Sequence, residues 1–370
     1  MRFIIAIDSY KGAASSEQLN AAAAEAIRSR FPGAECLTFS MSDGGEGFAH
    51  AFAGTLRTHQ EWVRCDTVDP LGRSICAKYL RKGSRAVIDL AAASGLTLIE
   101  PSERNPFLTS TFGTGVMIRH AAQNGCREVV LGVGGSATND AAMGILAALG
   151  YKFRGEEGDL APCGLALEKV REIIAPQQIE LPKITLACDV HIPFCGENGA
   201  AHRFAAQKGA SPQQILSLDR GMLSFAKIVE KQFGANIIHL PFAGAAGGVG
   251  GTLQAILGAV ACSGIELMLN AIEFEALLES DTIIITGEGR FDEQSMMGKV
   301  VGAIAARAPQ NRVIAFCGAA QITTPIPQNL DVVAITPPQM PIPQAIPLTI
   351  PLLQQAIAGM EFAHYTSRDH

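Results

Sequence analysis

Five short glycine-bearing segments of this chain contain most of its candidate chemical groups. They are DSYKG (8–12), DGGEG (43–47), GVGGSATND (132–140), PFAGAAGG (241–248) and TGEGRFDEQSMMGK (286–299). Glycine costs backbone entropy, so a cluster of it indicates a tight turn or a ligand that touches the backbone. Backbone N–H groups in such turns, with helix N-termini behind them, can bind phosphate.

The acids and cations in and near these segments fit phosphoryl transfer. That reaction needs positioned phosphates, magnesium held by carboxylates, cations that offset charge, and often an Asp near the attacking hydroxyl. The candidate acids are Asp8, Asp43, Glu46, Asp140, Asp189, Glu288 and Asp292. The candidate cations are Lys11, Arg73, Lys208, Arg290 and Lys299. No segment has the pattern G-x-x-x-x-G-K-[ST], so a nucleotide enzyme with this sequence is not of the P-loop kind.

Predicted strands place several of these segments where open α/β sheets bind ligands, just past the carboxyl ends of the strands. The apolar run Arg2–Ile7 predicts a buried parallel strand before DSYKG. Ser15 and Gln18 form a capping-box pattern that opens a predicted helix over 15–31. Cys36–Met41 predicts the strand before DGGEG, and this strand, helix, strand order indicates a βαβ unit.

The middle of the chain has a different pattern of predicted elements from its two ends. Glu61–Val68, Ile75–Leu80 and Ala86–Leu90 predict antiparallel or mixed strands between turn signals. Other predicted strands are Glu128–Gly132, Ile184–Asp189, Thr282–Thr286, Val313–Phe316 and Val332–Ile335, and other predicted helices are Gly115–Asn124 and Val300–Arg307. The six prolines of Thr336–Pro351 predict an extended arm packed on the surface. Both ends have alternating predicted strands and helices, which predicts that the middle is an inserted domain.

Composition excludes several classes of protein. The chain has 370 residues, is 48% hydrophobic and 17% charged, and has a net charge of -6 without a basic stripe, which argues against nucleic acid as the main partner. Its nine cysteines include no C-x-x-C pair, which argues against a disulfide framework and a structural zinc site. The N-terminal apolar stretch is too short for a signal peptide, and no stretch is typical of a membrane span. We expect a cytoplasmic protein without a membrane partner.

Single motifs leave alternatives open. GVGGSA matches a loose G-x-G-x-x-A fingerprint and would suit a nicotinamide-dependent oxidoreductase, but no strand-terminal acid follows about 20 residues later. A non-catalytic binding protein is another possibility. Asp189, at the end of a predicted strand, suits a catalytic carboxylate but could also cap a turn, and His191 suits packing or the surface better than a base.

Taken together and in order, the motifs resemble those of the glycerate kinase type-1 family. The matching segments are DSYKG, DGGEG, DPLGR (69–73), AAASGL (91–96), TFGTG (111–115), GGSATND (135–140), ACDV (187–190), QKGA (207–210), AGAAGG (243–248) and TGEGRFD with GK (286–299). The resemblance covers roughly residues 1–335. It implies an ATP- and magnesium-dependent kinase that phosphorylates D-glycerate to 2-phosphoglycerate, or else another small hydroxy acid.

The resemblance also implies a fold of two α/β domains with the active site between them. A flavodoxin-like parallel-sheet domain would be built from residues 1–62 and 275–370. An inserted mixed-sheet α/β domain with a restriction-endonuclease-like topology would span residues 63–274. We expect a small-molecule substrate, D-glycerate, and a monomer or a homodimer.

Roles follow from the resemblance residue by residue. Asp189 would act as the base or orient the hydroxyl, and Lys11 would contact the transferring phosphate or the substrate carboxylate. Asp43 and Glu46 would bind magnesium, directly or through water, or would hydrogen-bond the glycerate hydroxyls; the alternative is that they only cap the following helix. The substrate-binding residues would be Asp8, Ser9, Arg73, Ser136, Thr138, Asn139 and Arg290. The nucleotide-binding residues would be Gly135, Lys208, Gly287, Glu288, Asp292 and Lys299.

The chain departs from the family pattern at a few positions. Ile192 stands where the family usually has Asn, which affects substrate identity more than reaction class. NDAA stands where the family has N-D-G-G, FAAQKGA where it has F-G-P-Q-K-G-A, and Phe48 where Thr is frequent.

Overall fold

The computed structural model describes residues 1–42, 44–45, 47–55, 59–178, 180–322 and 325–362. The strands are β1 (Arg2–Ile7), β2 (Glu35–Thr38), β3 (Glu61–Val68), β4 (Ser74–Lys82), β5 (Arg85–Asp89), β6 (Glu128–Gly132), β7 (Lys152–Gly155), β8 (Gly158–Asp159), β9 (Glu172–Ile174), β10 (Lys183–Ala187), β11 (Val260–Cys262), β12 (Thr282–Gly287), β13 (Arg290–Phe291), β14 (Val313–Cys317), β15 (Ala319–Ala320) and β16 (Leu330–Ala334).

The helices complete an α/β chain. They are α1 (Ser16–Arg30), α2 (Phe48–Thr55), α3 (Ala91–Ser94), α4 (Phe112–Gln123), α5 (Met143–Ala148), α6 (Ala200–Phe204), α7 (Pro212–Phe233), α8 (Ala245–Leu257), α9 (Gly264–Ala271), α10 (Val300–Arg307), α11 (Ile342–Ala345) and α12 (Thr349–Gly359). Within the described residues, no helix has both the length and the apolar character needed to cross a membrane.

The described residues form two compact units. The first unit lies within residues 1–43, 50–57 and 265–370, and the second within 44–49 and 58–264. The first contains a parallel five-stranded sheet in the order β16-β14-β12-β1-β2. Helix α1 begins with the predicted capping box of Ser15 and Gln18, and it packs its apolar face into a core that includes Phe3, Leu353 and Ile357.

The second unit contains a mixed six-stranded sheet in the order β11-β10-β6-β5-β4-β3. Strands β3, β4 and β5 pair antiparallel, whereas β5, β6, β10 and β11 pair in parallel. Its core includes the fully buried rings of Tyr79, Phe153, Phe194 and Phe225. A small antiparallel sheet in the order β8-β7-β9 accompanies it.

The predicted strands and helices are largely confirmed. Arg2–Ile7, Glu61–Val68, Glu128–Gly132 and the helix Val300–Arg307 have the predicted bounds. Most other elements shift by one to three residues, since the ends of an element depend on capping and pairing more than on periodicity. The predicted mixture of antiparallel and parallel strands in the middle of the chain is also confirmed.

The expectation of an extended arm at Thr336–Pro351 is wrong. This stretch contains α11, a 3₁₀ turn at Ile346–Leu348 and the start of α12. Pro343 lies in the first turn of α11 and Pro351 in the first turn of α12. Those positions need no backbone donor, so proline is compatible with a helix there.

Candidate functional site

The carboxyl ends of β1 and β12 lie side by side, because these strands pair in parallel with Ile7 opposite Gly287. The amide of Asp8 donates to the carbonyl oxygen of Gly287 at 2.9 Å. The Asp8 carboxylate accepts a hydrogen bond from the Ser9 amide at 2.7 Å. Glu288 directly follows β12 and is buried. Four predicted residues therefore share this edge of the sheet, where ligands bind in open α/β folds.

Glycine at position 287 is required by the neighbouring strand. A Cβ atom there would lie 1.8 Å from the carbonyl oxygen of Phe316 in β14. The same oxygen accepts a hydrogen bond from the Tyr10 hydroxyl. Burial is the main reason why the pKa of Tyr10 lies well above its ordinary value, so the hydroxyl stays a donor at neutral pH. Tyr10 therefore fixes the DSYKG loop against β14, a contact that the sequence motif alone does not reveal.

Two predicted cations of the first unit are exposed. Lys11 follows Tyr10 in the same loop. Arg290 lies in β13, and its guanidinium donates to Gln321 Oε1 at 3.1 Å. The Arg290 side chain is 67% exposed, and its Nε atom lies 3.9 Å from the carboxylate of Asp292. Both cations can therefore reach a ligand without breaking a strong ion pair.

Asp292 has a local structural task. Its carboxylate accepts a hydrogen bond from the Gln294 amide at 3.0 Å and caps the 3₁₀ turn Glu293–Met296. Lys299 occupies the N-cap position of α10, and its side chain makes no capping hydrogen bond. The cap accounts for Asp292 without a nucleotide, so its predicted role stays a prediction.

In the second unit, the glycines of the DGGEG segment lie against two other motifs. The amide of Gly134 donates to the carbonyl oxygen of Gly44 at 3.0 Å. A Cβ atom on Gly44 would lie 2.5 Å from the carbonyl oxygen of Ala187, and one on Gly134 would lie 2.4 Å from the Cα of Gly45. These glycines therefore allow three backbones to approach more closely than side chains permit.

Lys208 is a buried cation beside the GGSATND loop. Only 2% of the residue is exposed. Its Nζ atom donates to Ser136 Oγ at 2.9 Å and to the carbonyl oxygen of Thr138 at 2.6 Å. Burial lowers the pKa of Lys208 to about 7, and the charge of Asp140 opposes this change. The structure thus brings together three residues that the sequence assigned to ligand binding.

The same loop contains two buried polar oxygens without a hydrogen-bond partner among the described residues. They are Thr138 Oγ1 and Asn139 Oδ1, and both side chains are fully buried. The Asn139 amide nitrogen lies 3.2 Å from the sulfur of Met222. A buried oxygen without a donor costs stability. Such an atom therefore indicates a position that accepts a hydrogen bond from a ligand or a water molecule.

Asp140 connects this loop to the TFGTG motif. Its Oδ2 atom accepts hydrogen bonds from the amide and the hydroxyl of Thr111, at 2.8 and 2.9 Å, and from the Gly144 amide at 3.1 Å. Burial raises the pKa of Asp140, and these hydrogen bonds counteract the increase. The sequence identified Asp140 as an acid suited to phosphoryl transfer, whereas its contacts identify a positioning role. Thr111 was missed because its motif contains no ionisable group.

Asp189 lies beyond the end of its strand. The prediction that the strand reaches Asp189 is wrong, since β10 ends at Ala187. The residue is partly buried in the segment that follows. Burial raises the pKa of the nearby Cys262 thiol, and the Asp189 carboxylate adds to this effect. A partly buried acid just past the carboxyl end of a parallel strand remains suited to a catalytic role.

Arg73 already has protein partners at every nitrogen. Its Nε atom contacts the buried carboxylate of Asp69 at 2.5 Å, Nη1 contacts Glu103 at 3.0 Å, and Nη2 donates to the carbonyl oxygen of Leu98 at 3.3 Å. Asp69 also accepts hydrogen bonds from the amides of Leu71 and Arg73. Arg73 therefore holds the turn of the DPLGR motif, and binding a substrate carboxylate would require it to exchange partners.

A surface cavity of about 270 Å³ lies beside the segment after Asp189. Its lining residues are His191, Ile192, Pro193, Ile238, His239, Leu240, Pro241 and Phe242. The His191 ring packs 4.2 Å from the Phe242 ring, centroid to centroid, as expected for a packing histidine. None of the residues predicted to bind substrate or nucleotide lines this cavity.

The sequence predicted a magnesium site at the DGGEG segment. The two predicted ligands, Asp43 and Glu46, lie outside them. Within the described part of the chain, no three His, Cys, Asp or Glu side chains are grouped closely enough to hold a metal ion.

Comparisons with known proteins confirm the family that the motifs resemble. The glycerate kinase family model matches residues 3–361. The chain is 38% identical over 325 residues to a glycerate kinase of Halalkalibacterium halodurans, covering 85% of this chain and 84% of that one. It is 37% identical over 309 residues to the glycerate 2-kinase of Escherichia coli, covering 81% and 80%.

A solved structure assigned as a glycerate kinase 2 of Salmonella typhimurium LT2 superposes with a TM-score of 0.78 at 33% identity, over 97% of each chain. Family model, relatives and solved structure all extend over both units of the fold. The chain belongs to the glycerate kinase family.

Proposed function

We propose that this protein transfers the γ-phosphoryl group of ATP to D-glycerate and releases 2-phosphoglycerate. The observation that carries the proposal is the family match over residues 3–361. The described geometry supports it, because glycine loops follow strands in both units, and such loops suit a reaction that depends on positioning phosphates. The comparisons do not favour a nicotinamide-dependent oxidoreductase or a non-catalytic binding protein.

The proposed product rests on one relative in particular. The E. coli relative is named a glycerate 2-kinase and shares 37% identity with this chain. The position of phosphorylation depends on which hydroxyl faces the γ-phosphate, which is a matter of about one ångström.

Each unit would contribute its own set of residues. In the first, Lys11 would contact the transferring phosphate or the substrate carboxylate, Asp8 and Ser9 would bind the substrate, and Arg290 would pair with its carboxylate. The nucleotide would contact Gly287, Glu288, Asp292 and Lys299. Placement of Asp8 and Glu288 at one sheet edge supports this assignment.

In the second unit, Asp189 would accept the hydroxyl proton of glycerate or orient that hydroxyl for attack. The loop Gly135–Asn139 would bind phosphate or substrate through its amides and through the buried oxygens of Thr138 and Asn139, which have no partner among the described residues. A positioned carboxylate that accepts the proton of the attacking hydroxyl accelerates the transfer by general base catalysis.

We further propose a flavodoxin-like domain from residues 1–62 and 275–370 and an inserted restriction-endonuclease-like domain from 63–274. The five-stranded parallel sheet and the mixed six-stranded sheet support this division. Asp43 and Glu46 would bind Mg²⁺, which would offset charge on the phosphates of ATP. A cytoplasmic location, and a monomer or homodimer, remain predictions.

Phosphorus NMR tests the proposal directly. Purified protein is incubated with ATP, magnesium and D-glycerate, with L-glycerate as the matched control acceptor. A 2-phosphoglycerate signal with D-glycerate supports the proposal. A 3-phosphoglycerate signal keeps the kinase but overturns the proposed product, and absence of any phosphoglycerate overturns the proposed substrate.

A further inference from the structure

The contacts of Lys208 suggest a task different from nucleotide binding. An exposed lysine can move to meet a phosphate, but Lys208 is only 2% exposed. Two hydrogen bonds, to Ser136 Oγ and to the carbonyl oxygen of Thr138, hold its ammonium group. Both acceptors belong to the GGSATND loop, 70 residues or more earlier in the chain.

The backbone around Lys208 is also tightly placed. The residue ends a 3₁₀ turn, and Gly209 follows with φ of 94°. A Cβ atom on Gly209 would lie 2.1 Å from the carbonyl oxygen of Arg104, so only glycine fits. The backbone that carries Lys208 is therefore fixed on one side by Arg104, while its side chain fixes the loop on the other.

The loop that Lys208 contacts also contains two buried polar oxygens that could bind a ligand. Thr138 Oγ1 and Asn139 Oδ1 are fully buried and have no hydrogen-bond partner among the described residues. Burying a lysine beside oxygens that lack donors costs stability. A requirement that the loop keep one conformation for its ligand would explain why this arrangement is present.

We infer that Lys208 is a positioning residue, which holds the loop Gly135–Asn139 through Ser136 and Thr138 in the conformation that binds the reactants. The inference rests on the proposed function for the identity of those reactants. Lys208 acts through the loop and does not itself touch ATP.

Hydrogen exchange tests the positioning without any substrate. The reporter is the amide of Ala137, which donates to the carbonyl oxygen of Ser94 at 2.8 Å. Lys208→Met removes the ammonium group and keeps most of the side-chain volume, and Lys227→Met, an exposed lysine on α7, is the control. We expect exchange at residues 135–139 to be about tenfold or more faster in Lys208→Met, with α7 unchanged. Unchanged exchange in the loop overturns the inference.

Steady-state kinetics separate positioning from nucleotide contact. Lys208→Met should lower kcat by about 10- to 100-fold, because small misplacements of reacting groups are costly. The KM for ATP should stay within about twofold, since uniform binding is intact. A large increase in the KM for ATP with kcat unchanged would instead identify a direct nucleotide contact and overturn the inference.

A second variant covers the case in which Lys208→Met does not fold. Ser136→Ala removes one of the two hydrogen bonds and should change exchange and kcat in the same direction, by less. Unchanged exchange at residues 135–139 in Ser136→Ala would overturn the inference. Where both variants fold, the effect of Ser136→Ala in the double variant should nearly vanish, because the two residues act together. Additive effects would overturn the inference. If the wild type makes no phosphoglycerate, the proposed function fails, and the exchange experiment still decides the role of Lys208.

Discussion

The amide nitrogen of Ala141 donates a hydrogen bond to the carbonyl oxygen of Gly247 at 3.0 Å. This bond joins two segments with unusual backbones. Ala141 and Ala142 have φ of 48° and 60°, and Ala246 has φ of 51°. Left-handed backbone costs roughly 1–2 kcal/mol for a residue with a Cβ atom. Such strain concentrates at functional sites, and here it lies next to the loop Gly135–Asn139, which we propose binds the reactants.

Replacing Ala142 by glycine should cost less stability than replacing an alanine of ordinary conformation. Ala142→Gly loses a buried methyl group but relieves the left-handed strain. Ala121→Gly in α4, also fully buried, loses the methyl group and helix propensity. We expect Ala142→Gly to be the less destabilising by about 1 kcal/mol or more in urea unfolding. Equal losses would contradict the idea that this backbone is strained.

The stability of the protein should depend on pH through Lys208. Its pKa is lowered by burial to about 7 from an ordinary value of 10.5, with Asp140 as the opposing charge. Below pH 7 both the folded and the unfolded state carry the charge, so the cost of burying it is fully present. Above pH 7 the folded state loses the proton and the unfolded state keeps it, so stability rises with pH.

The measurement is urea unfolding of the wild type and of Lys208→Met at pH 7, 8 and 9. The difference in free energy of unfolding, wild type minus variant, should rise by up to about 1.4 kcal/mol per pH unit. Comparing the two proteins cancels the titration of other groups. A difference that stays constant across this range would show that Lys208 keeps its ordinary pKa.

The two candidate arginines should differ in their effect on glycerate binding. Arg290 is mostly exposed, whereas Arg73 is already paired with Asp69 and Glu103. We expect Arg290→Met to raise the KM for D-glycerate by about tenfold, the value of one lost charge-assisted contact. Arg73→Met should have the smaller effect on KM and destabilise the turn around Asp69. The reverse order of KM values would assign the substrate carboxylate to Arg73.

Asp189→Asn tests the proposed base. Loss of a positioned base should lower kcat by about 10²- to 10⁴-fold at constant folding stability. Glu197→Gln, an exposed acid in the following turn, is the matched control and should retain activity. Both rates are measured by coupled ADP release under saturating substrates. A variant that retains wild-type kcat would remove Asp189 from the chemical step.

The sequence by itself determined the elements and the order of the motifs. Local patterns suffice for this, because periodicity and capping act within a few residues, as the strand Arg2–Ile7 and the cap at Ser15 show. The same patterns predicted Asp8 and Glu288 at strand ends, since parallel strands bring their carboxyl ends to one edge. The local patterns extended β10 too far, to Asp189 instead of Ala187. They also predicted an extended arm at Thr336–Pro351, where the prolines are instead compatible with the first turns of helices.

The tertiary structure alone decided how the candidate residues are used. Lys208 contacts a loop 70 residues away, and the partners of Arg73 include Glu103 from another turn. The left-handed Ala141 donates its amide hydrogen bond to Gly247, which is also distant in the chain. A motif identifies a lysine or an arginine but does not show whether that residue is exposed or buried. Its charge, partners and freedom are set by segments distant in the chain, because desolvation and hydrogen bonding depend on packing in three dimensions.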